Sequence, residues 1–186
     1  CGLFGVVVSG LYQAGVPVSL PVLASLIPNI VLGLMLVFRT NTAYERFWEG
    51  RKLWGTLVNT VRNLARQIWV VVDERTEGDR QHKRETLKLL VAFAVATKLH
   101  LRGESVDSEL QQLLSQSRYT TITTMHNPPL EIATWIGDYL QQQYHRDRIN
   151  PYQLNSLHHL VNQMVDVLGG CETCIARCVR SCREHV

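Results

Sequence analysis

The sequence predicts an all-α protein in which transmembrane helices continue into a cytoplasmic helical stalk. Residues 1–38 contain no Asp, Glu, Lys or Arg, and the first charged side chain is Arg39. Charged and aromatic side chains are then interleaved as far as Trp54, a pattern typical of a helix that leaves a bilayer. From Asn41 to Val72, apolar residues recur every three or four positions, which is the period of an amphipathic helix.

The composition averaged over the whole chain does not show this division into an uncharged first part and a charged second part. With 46% hydrophobic and 19% charged residues, the chain as a whole resembles an ordinary soluble domain. A net charge of +3 without a basic stripe does not predict a nucleic-acid partner. Nucleotide-binding loops, serine-hydrolase motifs and zinc-protease motifs are absent from the sequence, so we expect neither an enzyme nor a cofactor.

Residues 1–38 are predicted to form a transmembrane hairpin. The apolar stretch from Leu3 to Tyr12 is too short to span about 30 Å of hydrocarbon. It suits a buried strand, a signal-peptide region or the end of a truncated transmembrane helix. Because the chain starts with Cys1, we expect a fragment or a processed form. An uncharged turn, Gln13–Pro17, follows.

The stretch from Pro17 to Phe38 is the predicted spanning helix. As a helix it would be about 33 Å long, enough for one crossing. Prolines inside it are tolerated in membranes, where neighbouring helices satisfy the backbone. The basic cluster after Phe38 predicts that this end faces the cytoplasm. The alternative is a buried helical hairpin of a soluble protein.

Residues 39–170 are predicted to form a cytoplasmic or membrane-associated helical region. Thr40, Asn41 and Thr42 are plausible caps if the first helix breaks at the membrane surface. Asp73–Arg80 is expected to be a solvated loop. Gln81–Leu101 is expected to be a helix with Leu90–Ala96 buried, or alternatively a re-entrant membrane segment.

Proline, glycine and asparagine residues indicate where the remaining predicted helices begin and end. A short helix is predicted over Asp107–Ser115, and a break at Asn127-Pro128-Pro129 before a helix over Leu130–Tyr144. Asn150 and Pro151 are expected to cap and begin the next helix. Gly169-Gly170 is expected to end it.

The tail, residues 171–186, is divergent and rich in cysteine. Its thiols follow one another at helical spacing, at Cys171, Cys174, Cys178 and Cys182. Soft ligands at this spacing would suit a metal or redox module. One continuous helix cannot easily wrap four thiolates around an ion, however, so we predict no metal site. We expect free thiols in a reducing cytoplasm and a chemically dispensable tail.

The string FRTNTAYERFWEGRKLWG, Phe38–Gly55, resembles the signature of the bestrophins, a family of membrane ion channels. The resemblance runs from about Leu3 to Glu172. Relatives then continue with a basic residue, a Thr-Pro-x-Pro turn and further transmembrane helix, whereas this chain reads TCIARCVRSCREHV. A truncated member is therefore expected. The signature residues expected at the membrane interface are Arg39, Asn41, Tyr44, Arg46, Trp48, Glu49, Arg51 and Trp54.

The resemblance implies a multi-pass homopentamer in the lipid bilayer of the bacterial plasma (inner) membrane. Its implied function is passive transport of small monovalent ions, chloride being favoured by the family and sodium remaining open. The family's apolar pore neck corresponds to Ile30, Leu34 and Phe38, which four-residue steps place roughly on one helix face. The alternative function is a non-conducting, membrane-anchored helical scaffold.

Overall fold

The computed structural model describes residues 21–183, and their side chains over residues 26–176. Within this range the chain forms helices and no strands. The helices are α1 Pro21–Val71, α2 Glu77–Arg102, α3 Ser108–Leu113, α4 Gln116–Thr124, α5 Pro128–His145 and α6 Pro151–Arg183. The all-α prediction is confirmed. Leu3–Tyr12 and the turn at Gln13–Pro17 lie outside the described residues.

Helix α1 is 51 residues long, which corresponds to about 77 Å, far more than the thickness of a bilayer. By length and composition it is the one helix among the described residues that could cross a membrane, with a candidate span at Leu26–Val71. The most apolar window of that span has no buried residue. The chain divides into two compact units between Phe47 and Trp48.

The proposed caps at the membrane surface do not form, because α1 runs through them without a break. The Thr40 hydroxyl donates to the Leu36 carbonyl at 2.8 Å, and the Thr42 hydroxyl donates to the Phe38 carbonyl at 3.0 Å. Hydroxyls that bond back to the preceding turn are compatible with a continuous helix. The three polar residues therefore lie within α1 and do not end it.

The second unit, from Trp48 onward, has a hydrophobic core to which every helix contributes. On α1 the buried apolar side chains are spaced at steps of seven and four residues, at Leu57, Leu64 and Ile68, and the buried Val72 directly follows the helix. Side chains from the other helices complete the core, among them Leu89, Phe93, Leu110, Ile122, Ile132, Ile136, Leu140, Leu157 and Met164. The predicted burial of the apolar run on α2 is confirmed, apart from the exposed Val91 and the half-buried Ala94.

The predicted solvated loop, Asp73–Arg80, is wrong over its second half. Helix α2 already begins at Glu77, where Thr76 and Asp79 form a reciprocal capping box. Asp79 is buried, and so is Lys83 one turn later. The charged side chains that suggested a loop instead cap α2 and form ion pairs with other residues of the chain.

Local signals predict the start of α6 correctly. The Asn150 side chain accepts a hydrogen bond from the Gln153 backbone N–H at 2.8 Å, and the Gln153 side chain accepts one from the Asn150 N–H at 2.9 Å. Asn127 caps α5 in a similar way by accepting from the Leu130 N–H at 3.3 Å. The short helix α4 was not predicted, because Ile122 is its only buried residue.

The expectation that Gly169-Gly170 ends α6 is wrong, since the helix continues to Arg183. A Cβ atom built on Gly170 would lie 3.0 Å from Cδ2 of Leu53 on α1. Across the same contact, a Cβ on Gly50 would meet Sγ of Cys174 at 3.9 Å. Gly170 thus provides close packing between α6 and α1, where the sequence had suggested a helix stop.

Candidate functional site

The three predicted neck residues lie on α1 within the first unit. Ile30, Leu34 and Phe38 have exposed fractions of 60%, 54% and 63%. Leu32 and Met35 are just as accessible, at 65% and 61%. Exposure within one chain therefore does not distinguish the predicted neck face from the rest of the helix. The assignment of these residues to a pore neck stays a prediction.

The signature residues are distributed along α1 and do not converge on one point. Arg39 belongs to the first unit and Trp54 to the second. The Asn41 side chain donates to the Glu45 carboxylate at 3.0 Å, and the Lys52 ammonium lies 5.7 Å from the centre of the Trp48 ring. Contacts of this kind, one turn apart on a helix, suit a surface where aromatic rings and cations lie together.

A buried lysine, which the sequence analysis missed, donates hydrogen bonds to carbonyl groups at the end of α1. The Lys83 side chain is 3% exposed, and its Nζ donates to the carbonyls of Val72 at 2.7 Å and Trp69 at 3.1 Å. The same Nζ lies 2.8 Å from the Glu74 carboxylate. The last carbonyls of a helix have no partner within it. Lys83 supplies that partner from α2 and fixes the turn between α1 and α2.

Charge pairing holds the carboxylate of Glu74 in its ionised form. Hydrogen bonds, first from Lys83 and then from Arg80, lower the pKa of Glu74 from its ordinary value of 4.5. Glu74 also lies 2.9 Å from Nε of Arg80. The carboxylate thus joins one buried and one exposed cation at the start of α2.

A second buried pair connects this turn to the segment between α5 and α6. Nη2 of Arg148 lies 2.8 Å from Oδ2 of Asp79, and the backbone N–H groups of Arg75 and Thr76 donate to the same oxygen. The Arg75 hydrogen bond is the main cause that lowers the pKa of Asp79. The chain segment that precedes α6 is therefore tied to the segment that follows α1. A sequence signal for Asp79 existed in the capping-box spacing, but none existed for Arg148.

The structure describes only part of the cysteine tail. Cys171 and Cys174 are buried, and burial raises the pKa of the Cys171 thiol. A raised pKa keeps a thiol protonated, which disfavours metal ligation and nucleophilic attack. The side chains of Cys178 and Cys182 lie outside the described range. In the described part of the chain, no group of three or more His, Cys, Asp or Glu residues could hold a metal ion.

Curated proteins with similar sequences are named as channels. The chain is 64% identical over 172 residues to a Nostoc protein named as a voltage-dependent anion channel-forming protein, covering 92% of this chain and 56% of the relative. A Synechocystis protein with the same descriptive name is 58% identical, covering 85% of this chain and 52% of the relative. The chain thus spans about half the length of these relatives.

Solved structures agree with the sequence comparison. Two crystal structures of point mutants of a bacterial bestrophin homolog from Klebsiella pneumoniae match with TM-scores of 0.75 and 0.76. Their sequences are 28% and 27% identical, and the matches cover 91% and 94% of this chain and 63% of each solved chain. The sequence also matches the family described as Bacterial/Fungal Bestrophin protein over residues 1–177. A match of this extent shows that the chain belongs to the bacterial and fungal bestrophin family.

Proposed function

We propose that this chain is the pore-lining part of a channel subunit that carries small anions. The observation that carries the proposal is the 64% identity, over 172 residues, with the Nostoc protein named as an anion channel-forming protein. Because the chain covers 56% of that relative, conduction by the whole protein is itself part of the proposal. The chain is a membrane protein by its family, and α1 supplies the candidate span.

The proposed topology is multi-pass in the plasma membrane of a bacterium, with the end of α1 in the cytoplasm. Residues 26–38 carry no charge, and the basic residues Arg39, Arg46 and Arg51 follow on the same helix. Positive charge is retained on the cytoplasmic side of membrane proteins. The signature residues would then lie at the level of the headgroups and extend into water.

The proposed assembly is a homopentamer in which α1 of each subunit lines the central pore. In support, α1 exposes large apolar side chains between Leu26 and Phe38. With fivefold symmetry, Ile30, Leu34 and Phe38 would form three stacked apolar rings. Apolar constrictions of this kind stop ions by dewetting, because an ion cannot shed its hydration shell without compensation.

The proposal is tested with a chimera in which this chain replaces the matching 172 residues of the Nostoc protein. The chimera and its parent are reconstituted into liposomes, and chloride and sodium fluxes are measured separately. We expect chloride flux well above that of protein-free liposomes and faster than sodium flux. Sodium flux without chloride flux would contradict the anion assignment. An assembled chimera that passes neither ion, beside a conducting parent, would favour the non-conducting scaffold.

A further inference from the structure

Within the second unit, α1 has two faces of opposite character. One face packs against helices of the same chain through side chains that are completely buried, at Leu57, Leu64 and Ile68. On the opposite side of the helix, polar and basic side chains recur at steps of three and four residues and are exposed, at Asn59, Arg62, Asn63 and Arg66. Between Gly55 and Arg66, no large apolar side chain of α1 is exposed. The fully buried core of a subunit interface is more apolar than this, so the exposed face suits contact with water.

The two arginines on this face carry positive charge that no carboxylate offsets nearby on the helix. Residues 50–71 of α1 contain no Asp or Glu. Neither Arg62 nor Arg66 makes an ion pair or a hydrogen bond to a side chain in the part of the chain that the structure describes. By contrast, Nη2 of Arg148 in the same unit lies 2.8 Å from Oδ2 of Asp79. Arg148 thus has a structural partner, whereas the guanidinium groups of Arg62 and Arg66 face solvent.

We propose that Arg62 and Arg66 determine the preference for anions by forming two rings of positive charge around the cytoplasmic part of the pore. This inference rests on the proposed function, in which α1 of each subunit lines the pore of a homopentamer. Since one face of α1 packs on its own subunit, the exposed polar face is the one that can border water in the pore. The two rings would be about 6 Å apart along the helix axis.

Rings of basic side chains attract anions and repel cations, and some anion pores select in this way. The proposed neck side chains, Ile30, Leu34 and Phe38, are apolar and carry no charge with which to distinguish the sign of an ion. Arg62 and Arg66 supply that charge on the part of α1 that belongs to the second unit. The arginines would raise the local concentration of anions in the pore, and the neck would set the barrier.

The dependence on salt separates this electrostatic role from a structural one. The Debye length is about 30 Å at 0.01 M salt and about 3 Å at 1 M. The attraction of chloride by exposed arginines should therefore be strong in dilute salt and nearly absent in concentrated salt. A side chain that only supports packing would change the flux by the same factor at both concentrations.

The test uses the chimera described above, with Arg62 and Arg66 both replaced by Gln. Chloride and sodium fluxes into liposomes are measured at about 10 mM and about 1 M salt. We expect the chloride flux to be about fivefold lower than the parent's in dilute salt and within about twofold of it in concentrated salt. A variant with Lys at both positions keeps the charge and should keep the parent's flux at both concentrations. Size-exclusion chromatography should show the same assembly for all of them.

The matched control is the pair Arg84→Gln and Lys88→Gln. These two residues are exposed, lie four positions apart on α2, and make no ion pair among the described residues. The control removes the same charge from another helix and should leave the chloride flux unchanged.

Four results would overturn the inference while the proposed function stands. They are an unchanged chloride flux in dilute salt, an equal loss at both salt concentrations, an equal loss in the control, and a glutamine variant that no longer assembles. The last result would place the arginines at a contact between subunits. A parent chimera that passes no chloride would instead contradict the proposed function, and this inference would fail with it.

Discussion

Phe38 is 63% exposed on α1, whereas Phe93 on α2 is completely buried. The same side chain thus occurs in two environments within one chain. In the second unit, Phe93 and its apolar neighbours are covered by helices of the same polypeptide. Between Leu26 and Phe38 the apolar side chains have no such cover within the described residues. The contrast teaches that helices of the same chain bury the core of the second unit, while the apolar part of α1 requires cover from outside the described residues.

The largest effect should come from placing charge in the uncovered apolar stretch. Ile27→Asp together with Leu32→Asp should prevent membrane insertion, because each charge at a helix centre costs about 2.5–3.5 kcal/mol. Membrane fractionation followed by carbonate extraction measures the result. Val91→Asp, at an exposed position of α2, is the control and should leave the chain in the membrane fraction. Equal membrane retention of the double variant would contradict a spanning role for this stretch.

The second-largest effect is the loss of stability when a phenylalanine is replaced by alanine, and it should differ between Phe93 and Phe38. Phe93→Ala should lower the free energy of unfolding of the helical unit by about 3–5 kcal/mol, because it leaves a cavity in a closed core. Phe38→Ala should change that quantity little, since the Phe38 side chain is 63% exposed among the described residues. Denaturant unfolding in detergent, followed by circular dichroism, measures both. Similar losses for the two variants would show that Phe38 is covered within the chain after all.

A smaller effect is expected at the predicted neck. In the chimera, replacing Ile30, Leu34 and Phe38 by Ala should widen and wet the constriction. Ion flux should then rise on the order of tenfold, which corresponds to about 1.4 kcal/mol off the barrier. Liposome flux and size-exclusion chromatography are measured together, to check that assembly persists.

The matched controls for the neck are Leu32→Ala and Met35→Ala, which lie on other faces of α1. They should alter packing and yield with little gain in flux. If the triple variant assembles normally and conducts no better than the parent, these three residues do not line the gate.

The smallest expected effect is the pH dependence of stability, which should arise from carboxylates in the second unit and not from residues 26–38. Asp79 and Glu74 have lowered pKa values in the folded state, whereas residues 26–38 carry no ionisable group. Their contribution to stability is complete above the ordinary values of 3.8 and 4.5 and is lost as the pH falls through the lower folded values. Unfolding free energies measured between pH 6 and pH 3 should therefore decrease in this acidic window. Asp79→Asn should flatten part of the decrease, and an unchanged slope in that variant would remove Asp79 from the explanation.

Signals that act over a few residues predicted the structure well. Asn150 and Pro151 begin α6 as expected, because the cap needs only the Gln153 side chain and local backbone. Burial of the apolar run on α2 could be predicted because Leu90–Ala96 is uniformly apolar and too short to span a membrane. Fold class and the order of the helices other than α4 could be predicted from such local signals.

Long-range contacts were not predictable from one sequence. The charge-rich segment around Asp79 looked like a loop because its partner, Arg148, lies far away along the chain. Gly170 looked like a helix stop because its contact with Leu53 is tertiary. In the proposed pentamer, what Ile30, Leu34 and Phe38 face would depend on neighbouring subunits. A sequence pattern therefore gives their spacing but not what they face.

The contact between Gly170 and Leu53 has a consequence for sequence variation in the family. At 3.0 Å, the position where a methyl group would be added on α6 is already within van der Waals contact of the leucine on α1. A larger residue at position 170 requires either a shift of the Leu53 side chain by a few tenths of an ångström or a smaller residue at position 53. The two positions should therefore change together. Family members with alanine at the first should carry valine or a smaller residue at the second, and a family alignment can be examined for this covariation.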